Sequence, residues 1–166
     1  MRDRGFRGWR VTWAAFVVAA FGWGVGFYGP PVFLFAVQDS RGWSVALVSA
    51  AVTSHYLCGA VVIANLPRIY TRFGLAPITR LGGCLAGLGV LGWALAATPS
   101  QLFAATLLSG SGWAMTGGAA INAMVSPWFQ RRRPEALGTA YNGASIGGVV
   151  FSPLWVVLIR DRKSVV

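Results

Sequence analysis

The sequence predicts an all-α membrane protein with five transmembrane helices, and three observations carry that prediction. The 166 residues are 55% hydrophobic and only 11% charged, with a positive mean hydropathy, a composition that would aggregate as a water-soluble domain. Charge is confined to short gaps: residues 11–38, 42–67, 81–130 and 136–159 contain no Asp, Glu, Lys or Arg. The basic residues that fill those gaps alternate in abundance from one gap to the next, as they do where a chain crosses a membrane repeatedly.

A helix needs about 20 apolar residues to cross the hydrocarbon core. Three of the uncharged runs therefore hold one span each, and the 50-residue run from 81 to 130 holds two. Its break falls at Thr98-Pro99-Ser100-Gln101, because proline cannot continue a helix and small polar residues favour a turn. The spans are expected at about 11–37, 43–66, 77–97, 101–126 and 135–159.

In the first span, "FGWGVGFYGPPVF" runs glycine-rich sequence into Pro30-Pro31 before the apolar stretch has ended. Proline removes a backbone donor, and a break at membrane depth is tolerated only against protein or a water-filled cavity. The outer half of span 1 is expected to face a cavity, and a plain kink near the outer surface is the alternative. Within the spans, Gly22 and Gly26, Gly83 and Gly87, and Gly143 and Gly147 each stand four apart on one helix face. Small residues so spaced let helix backbones approach closely in lipid, so all six are expected at helix contacts.

Arginines count four before span 1 (Arg2, Arg4, Arg7, Arg10), three between spans 2 and 3 (Arg68, Arg72, Arg80) and three between spans 4 and 5 (Arg131, Arg132, Arg133). The other side has Arg41 after span 1 and nothing at 98–101, and five spans also leave Arg160, Arg162 and Lys163 there, against the rule that the other gaps satisfy. The positive-inside rule then makes the N-terminus and the loops after spans 2 and 4 cytoplasmic. Arg131, Arg132 and Arg133 are read as a cytoplasmic anchor, with Glu135 capping the next helix and pairing with a neighbouring arginine. The net charge of +10 reports orientation on this reading and does not mark a nucleic-acid partner. Residues 11–38 are too long, and lack a small-residue cleavage site, for a removed signal peptide.

Polar side chains inside spans are few: His55 and Tyr56 in span 2, Asn122 in span 4, and Tyr141, Asn142 and Ser145 in span 5. Such groups form interhelical hydrogen bonds or mark a pathway. His55 has the chemistry to carry a proton but no visible carboxylate partner. The four acids, Asp3, Asp39, Glu135 and Asp161, all lie outside the spans. No arrangement of nucleophile, base and acid, no metal cluster and no phosphate-binding loop is present, so an enzyme is disfavoured and no cofactor or metal is expected. Cys58 and Cys84 fall within spans and read as packing residues rather than as a disulfide or a metal site.

The stretch "WFQRRRPEALGTAYNGASIGG" resembles the approach to the fifth helix of major facilitator superfamily transporters, in the monocarboxylate-transporter and oxalate/formate-antiporter branch. The matching residues are Trp128, Phe129, Arg132, Arg133, Ala136, Gly138, Gly143 and Gly147. "GFYGPPVF" followed by "RGWSVALVSAA" is similar to that branch's first helix, outer loop and second helix. "RIYTRFGLAP" stands where the superfamily has its cytoplasmic loop motif: Arg68, Arg72 and Gly74 fit, while Thr71 replaces the acid and Leu75 the second basic residue.

The resemblance covers residues 8–160 and implies five helices of an incomplete six-helix N-terminal half of such a transporter, residues 1–160 forming one domain. It implies a secondary transporter of a small organic acid anion such as a monocarboxylate, possessing a lipid bilayer, a small-molecule substrate, a coupling ion and the missing C-terminal half as partners. The expected home is the inner cell membrane. On the same analogy helices 1, 2, 4 and 5 wall the cavity, and Tyr28, Tyr56, Asn122 and Asn142 are the candidate cavity residues. The glycine faces also permit a self-assembling membrane scaffold or channel. Residues 161–166, DRKSVV, match an in-frame translation of a sequencing-library adapter and are expected to be a non-native tail.

Overall fold

Backbone groups in hydrocarbon have to be satisfied within the chain, and this chain does so with helices alone among the described residues. The structure is a computed structural model that describes residues 7–163, with side chains as far as Ile159. Seven helices follow in order: α1 (Gly8–Gly26), α2 (Gly29–Arg41), α3 (Val45–Phe73), α4 (Leu75–Leu95), α5 (Pro99–Thr116), α6 (Gly118–Val125) and, after a short 3-10 turn at Ser126–Trp128, α7 (Arg133–Lys163). Four segments are long and apolar enough to cross a membrane: Gly8–Arg41, Val45–Phe73, Leu75–Leu95 and Arg133–Ile159. The segment expected to span at 101–126 starts at Pro99 and is divided at Gly117 into α5 and α6.

Local chemistry sets the ends. Gly42, at φ 66°, closes α2 and donates its N–H to the Gln38 carbonyl at 2.9 Å. Ser44 then caps α3, its Oγ accepting from the Leu47 N–H at 3.3 Å. The turn expected at Thr98 to Gln101 is a capping box: Thr98 Oγ1 accepts from the Gln101 N–H at 3.4 Å, and Gln101 Oε1 accepts from the Thr98 N–H at 3.3 Å. The cytoplasmic-loop motif differs from its expected form. Helix α3 continues through Pro67 to Phe73, so Arg68 and Arg72 are helical and exposed, and the joint to α4 is Gly74 alone, at φ 84°. A reversal in one residue requires that positive φ, which glycine adopts without steric cost.

Helix α1 packs along α7 and touches α5 and α6, while α5 packs against both α3 and α4. The approaches are close because glycine faces backbone. A Cβ on Gly143 would fall on the Phe16 carbonyl, one on Gly147 on the Ala20 carbonyl, and one on Gly110 on the His55 carbonyl. Gly22 lies against Thr116 and Gly26 against Trp113. Gly83 and Gly87 do not make the expected contact among the described residues: both are exposed, with no described atom within 4 Å of where a Cβ would stand. On α4 it is Gly82, Gly89 and Gly92 that meet α5, at Gly112 with Met115, at Ser109 and at Ala105. Two apolar clusters close the ends of the bundle, one around Phe33, Val48, Trp93 and Leu102, the other around Ala15, Ile121, Val125 and Phe129. Large side chains such as Leu57, Leu91, Val149 and Val157 stay exposed, as suits a surface solvated by lipid.

Candidate functional site

Two of the helical segments are broken near their middles, and interior polar side chains from neighbouring helices answer the backbone at both breaks. In the first, Pro30 and Pro31 stand four residues after Gly26 and Phe27, where a helix would need their N–H groups to serve the Gly26 and Phe27 carbonyls. Proline has none to give. Two consecutive residues of α3 supply the missing donors: His55 Nε2 lies 2.9 Å from the Gly26 oxygen, and the Tyr56 hydroxyl donates to the Phe27 oxygen at 3.0 Å. The Phe27 and Tyr28 N–H groups both turn back to Trp23 O, at 3.0 and 2.9 Å, and Trp155 of α7 donates its indole N–H to Gly24 O at 3.0 Å.

The His55 tautomer follows from these partners. A carbonyl only accepts, so Nε2 carries the proton, and in the neutral ring Nδ1 accepts from the Ser109 hydroxyl at 2.8 Å. Ser109 Oγ in turn accepts from Trp93 Nε1–H at 3.2 Å. The chain of donors from Trp93 through Ser109 and His55 to Gly26 joins α4, α5, α3 and α1 inside the bundle, where His55 is fully buried. Its ring stacks on Trp113 at 5.9 Å between centroids.

The second break is Gly117, extended at φ −81° and ψ −158° between α5 and α6. Tyr141 of α7 spans it, its hydroxyl donating to Gly118 O at 3.1 Å and accepting from Asn122 Nδ2 at 2.9 Å. The Tyr141 ring meets Trp23 edge-on at 6.0 Å.

The four candidate cavity residues thus fall into two groups. Tyr28 and Tyr56 flank Phe27 at the first break, with ring centroids 5.2 and 6.2 Å from it. Asn122 is tied to Tyr141 at the second break, and Asn142, the next residue of α7, is exposed. Trp113 was not among the residues singled out from the sequence, yet its ring touches the Phe27, His55 and Tyr56 rings. A signal existed: an indole directly after Gly110-Ser111-Gly112, with room for it made by Gly26 and Gly59 on neighbouring helices.

At one end of the bundle lie Arg132 and Arg133. Arg132 forms a two-pronged pair with Glu135 at 2.7 and 2.8 Å and rests 5.2 Å above the Trp9 ring, while Arg133 Nε donates to Phe129 O at 3.1 Å. The arginine run thereby ties the start of α1 to the joint before α7. Gly82 is level with Gly112 and Thr116, which puts the α3–α4 joint, with Arg72 over the Phe73 ring at 5.2 Å, at that same end. No group of three or more metal-binding side chains occurs among the described residues. Cys58 and Cys84 are both free thiols.

Long apolar helices, glycine-lined crossings, and polar side chains that answer the backbone at the helix breaks define an all-helical integral membrane protein among the described residues. Its relatives are transport proteins. The chain is 33% identical to monocarboxylate transporter 13 of Rattus norvegicus over 160 residues, 93% of this chain and 36% of that protein. It is 34% identical to monocarboxylate transporter 13 of Bos taurus (92% of this chain, 36% of that protein) and 30% identical to monocarboxylate transporter 11 of Homo sapiens (92% and 32%). The chain is therefore a relative of the monocarboxylate transporters of the major facilitator type. It spans about a third of the length of these relatives. No family model matches the chain, and no solved structure matches it.

Proposed function

We propose that this chain is the N-terminal part of a secondary active transporter that moves a small organic acid anion, a monocarboxylate, by alternating access. The observation that carries the reading is the likeness to proteins named monocarboxylate transporters along more than nine-tenths of the chain. The broken segments support it, because transporters of this kind place substrate groups near the bilayer midplane beside interrupted helices. The remaining helices supply the opposite cavity wall, and a proton or another ion supplies the driving force. Tyr28, Tyr56, Asn122 and Asn142 contribute to this half of the wall, where hydroxyl and amide donors suit a carboxylate without placing a fixed charge in the membrane.

Arg131, Arg132 and Arg133, with Arg68 and Arg72, hold one rim of the bundle at the cytoplasmic surface of the cell membrane. The loop motif here lacks its acid. Thr71 stands in that place, and its hydroxyl donates to the Arg68 carbonyl of its own helix at 2.8 Å. The reading is tested by joining residues 1–160 to the remaining two thirds of the Rattus norvegicus relative, reconstituting the hybrid and measuring uptake of radiolabelled butyrate under an imposed pH gradient. Saturable accumulation that collapses with the gradient is the expected result. A folded, monodisperse hybrid with no flux above empty liposomes would count against it.

A further inference from the structure

Trp113 stands out in the interior for what it lacks: its Nε1–H is buried, and no acceptor lies within hydrogen-bond reach among the described residues. An unpaired buried donor costs about 1–3 kcal/mol and calls for an explanation. The Gly26 and Phe27 carbonyls beside it are engaged by His55 and Tyr56. The five-membered edge of the indole, at Cδ1, lies against Gly26, and the six-membered edge lies against Gly59. The ring is therefore held from both sides while its single polar atom stays free.

The surroundings of that atom are aromatic. Phe27 lies 6.2 Å from the Trp113 ring and Tyr56 5.6 Å, and Phe27 is 42% exposed, so the cluster opens to the outside of this bundle. Phe27, Tyr56 and Trp113 each fall within about three residues of the middle of the helical segment that carries them. They also belong to the first, second and fourth segments, counting α1 with α2 and α5 with α6. A spare buried donor thus stands at mid-depth behind an exposed aromatic ring. None of these side chains carries a formal charge.

We infer that Trp113 is a ligand-binding residue: its indole N–H donates to a carboxylate oxygen of a small water-soluble acid whose apolar remainder lies on the Phe27 and Tyr56 rings. The inference rests on the transporter reading and deepens it by naming the donor and the substrate class, carboxylates with an apolar or aromatic tail in place of hydroxylated ones. The indole supplies one donor and no acceptor, so a neutral alcohol of the same shape loses the charge-assisted hydrogen bond that makes the contact strong.

The chain in detergent micelles, labelled with 15N at its 8 tryptophan indoles, provides the test. Trp113→Phe identifies the Trp113 resonance, and benzoate, butyrate, benzyl alcohol and oleate are titrated in turn. The expected result is a saturable downfield shift of the Trp113 indole proton with benzoate and butyrate but not with benzyl alcohol. Replacing Trp113 by benzothienylalanine, which keeps the shape and deletes the N–H, is expected to weaken benzoate binding by about tenfold or more. Benzoate that binds with the Trp113 signal unmoved, or with unchanged affinity for the benzothienyl variant, overturns this inference and leaves the transporter reading standing. A response to oleate alone overturns it in favour of a lipid site. Absence of binding by either soluble acid removes this site and weakens the transporter reading with it.

Discussion

Alanine at Gly143 and Gly147 should push α1 and α7 apart. A Cβ on Gly143 would collide with the Phe16 carbonyl and stand 2.9 Å from its carbon, and one on Gly147 would collide with the Ala20 carbonyl and stand 3.0 Å from its carbon. The obstacles are backbone, so no rotamer change relieves them. The helices have to separate by about 1 Å, and overpacking of this kind costs about 1–3 kcal/mol. Alanine's better helix propensity returns about 1 kcal/mol, leaving about 0–2 kcal/mol of destabilisation for each substitution. Because one movement of α1 accommodates both methyl groups, the double variant should lose less than the sum of the singles. Gly83→Ala and Gly87→Ala are the matched comparison: with nothing within 4 Å of either new Cβ, only the propensity gain remains. Reversible unfolding in mixed micelles with rising dodecyl sulfate, followed by tryptophan fluorescence, reads the difference. If the Gly143 and Gly147 variants moved in the same direction as those at Gly83 and Gly87, the packing argument would be refuted.

Three other outcomes are expected. His55→Ala should destabilise the chain by about 1–3 kcal/mol through the unpaired Gly26 carbonyl, while Ser109 keeps Thr106 O as an acceptor, and Pro30→Ala should recover part of that loss by restoring a backbone donor to Gly26. A double-mutant cycle showing no coupling between positions 30 and 55 would mean that His55 is not replacing the donor proline lacks. Thr98→Ala should cost about 1 kcal/mol in the same unfolding assay, since it removes the Oγ1 that caps α5; an unchanged midpoint would argue against the capping box. Cysteines placed at Arg72 and Arg132 should both react with an impermeant maleimide from one face of the membrane only, and labelling from opposite faces would break the common arginine rim.

Much of the fold could be read directly from residue order. Uncharged runs bounded by arginine gave the membrane class, and Thr98-Pro99-Ser100-Gln101 stands in the structure as a capping box that starts α5. Pro30-Pro31 likewise announced a helix break, because a missing N–H is a property of the residue and needs no neighbour to reveal it. The break at Gly117 was less legible, since glycine in a membrane helix packs as often as it interrupts. The reach of α3 to Phe73 was hidden by Pro67, which the helix accommodates.

Sequence by itself determined where the uncharged apolar runs begin and end, how many there are, and which carbonyls would lack a helical donor, for these depend on composition and on neighbours along the chain. Tertiary structure alone decided who answers those carbonyls and which glycines are crossed. A spacing of four places two residues on the same face but does not say whether that face meets a helix or lipid, so Gly143 with Gly147 and Gly83 with Gly87 look alike in sequence and differ in packing. The same holds for Trp113: an indole reads as apolar bulk until three helices fix its ring and leave its N–H without a partner among the described residues.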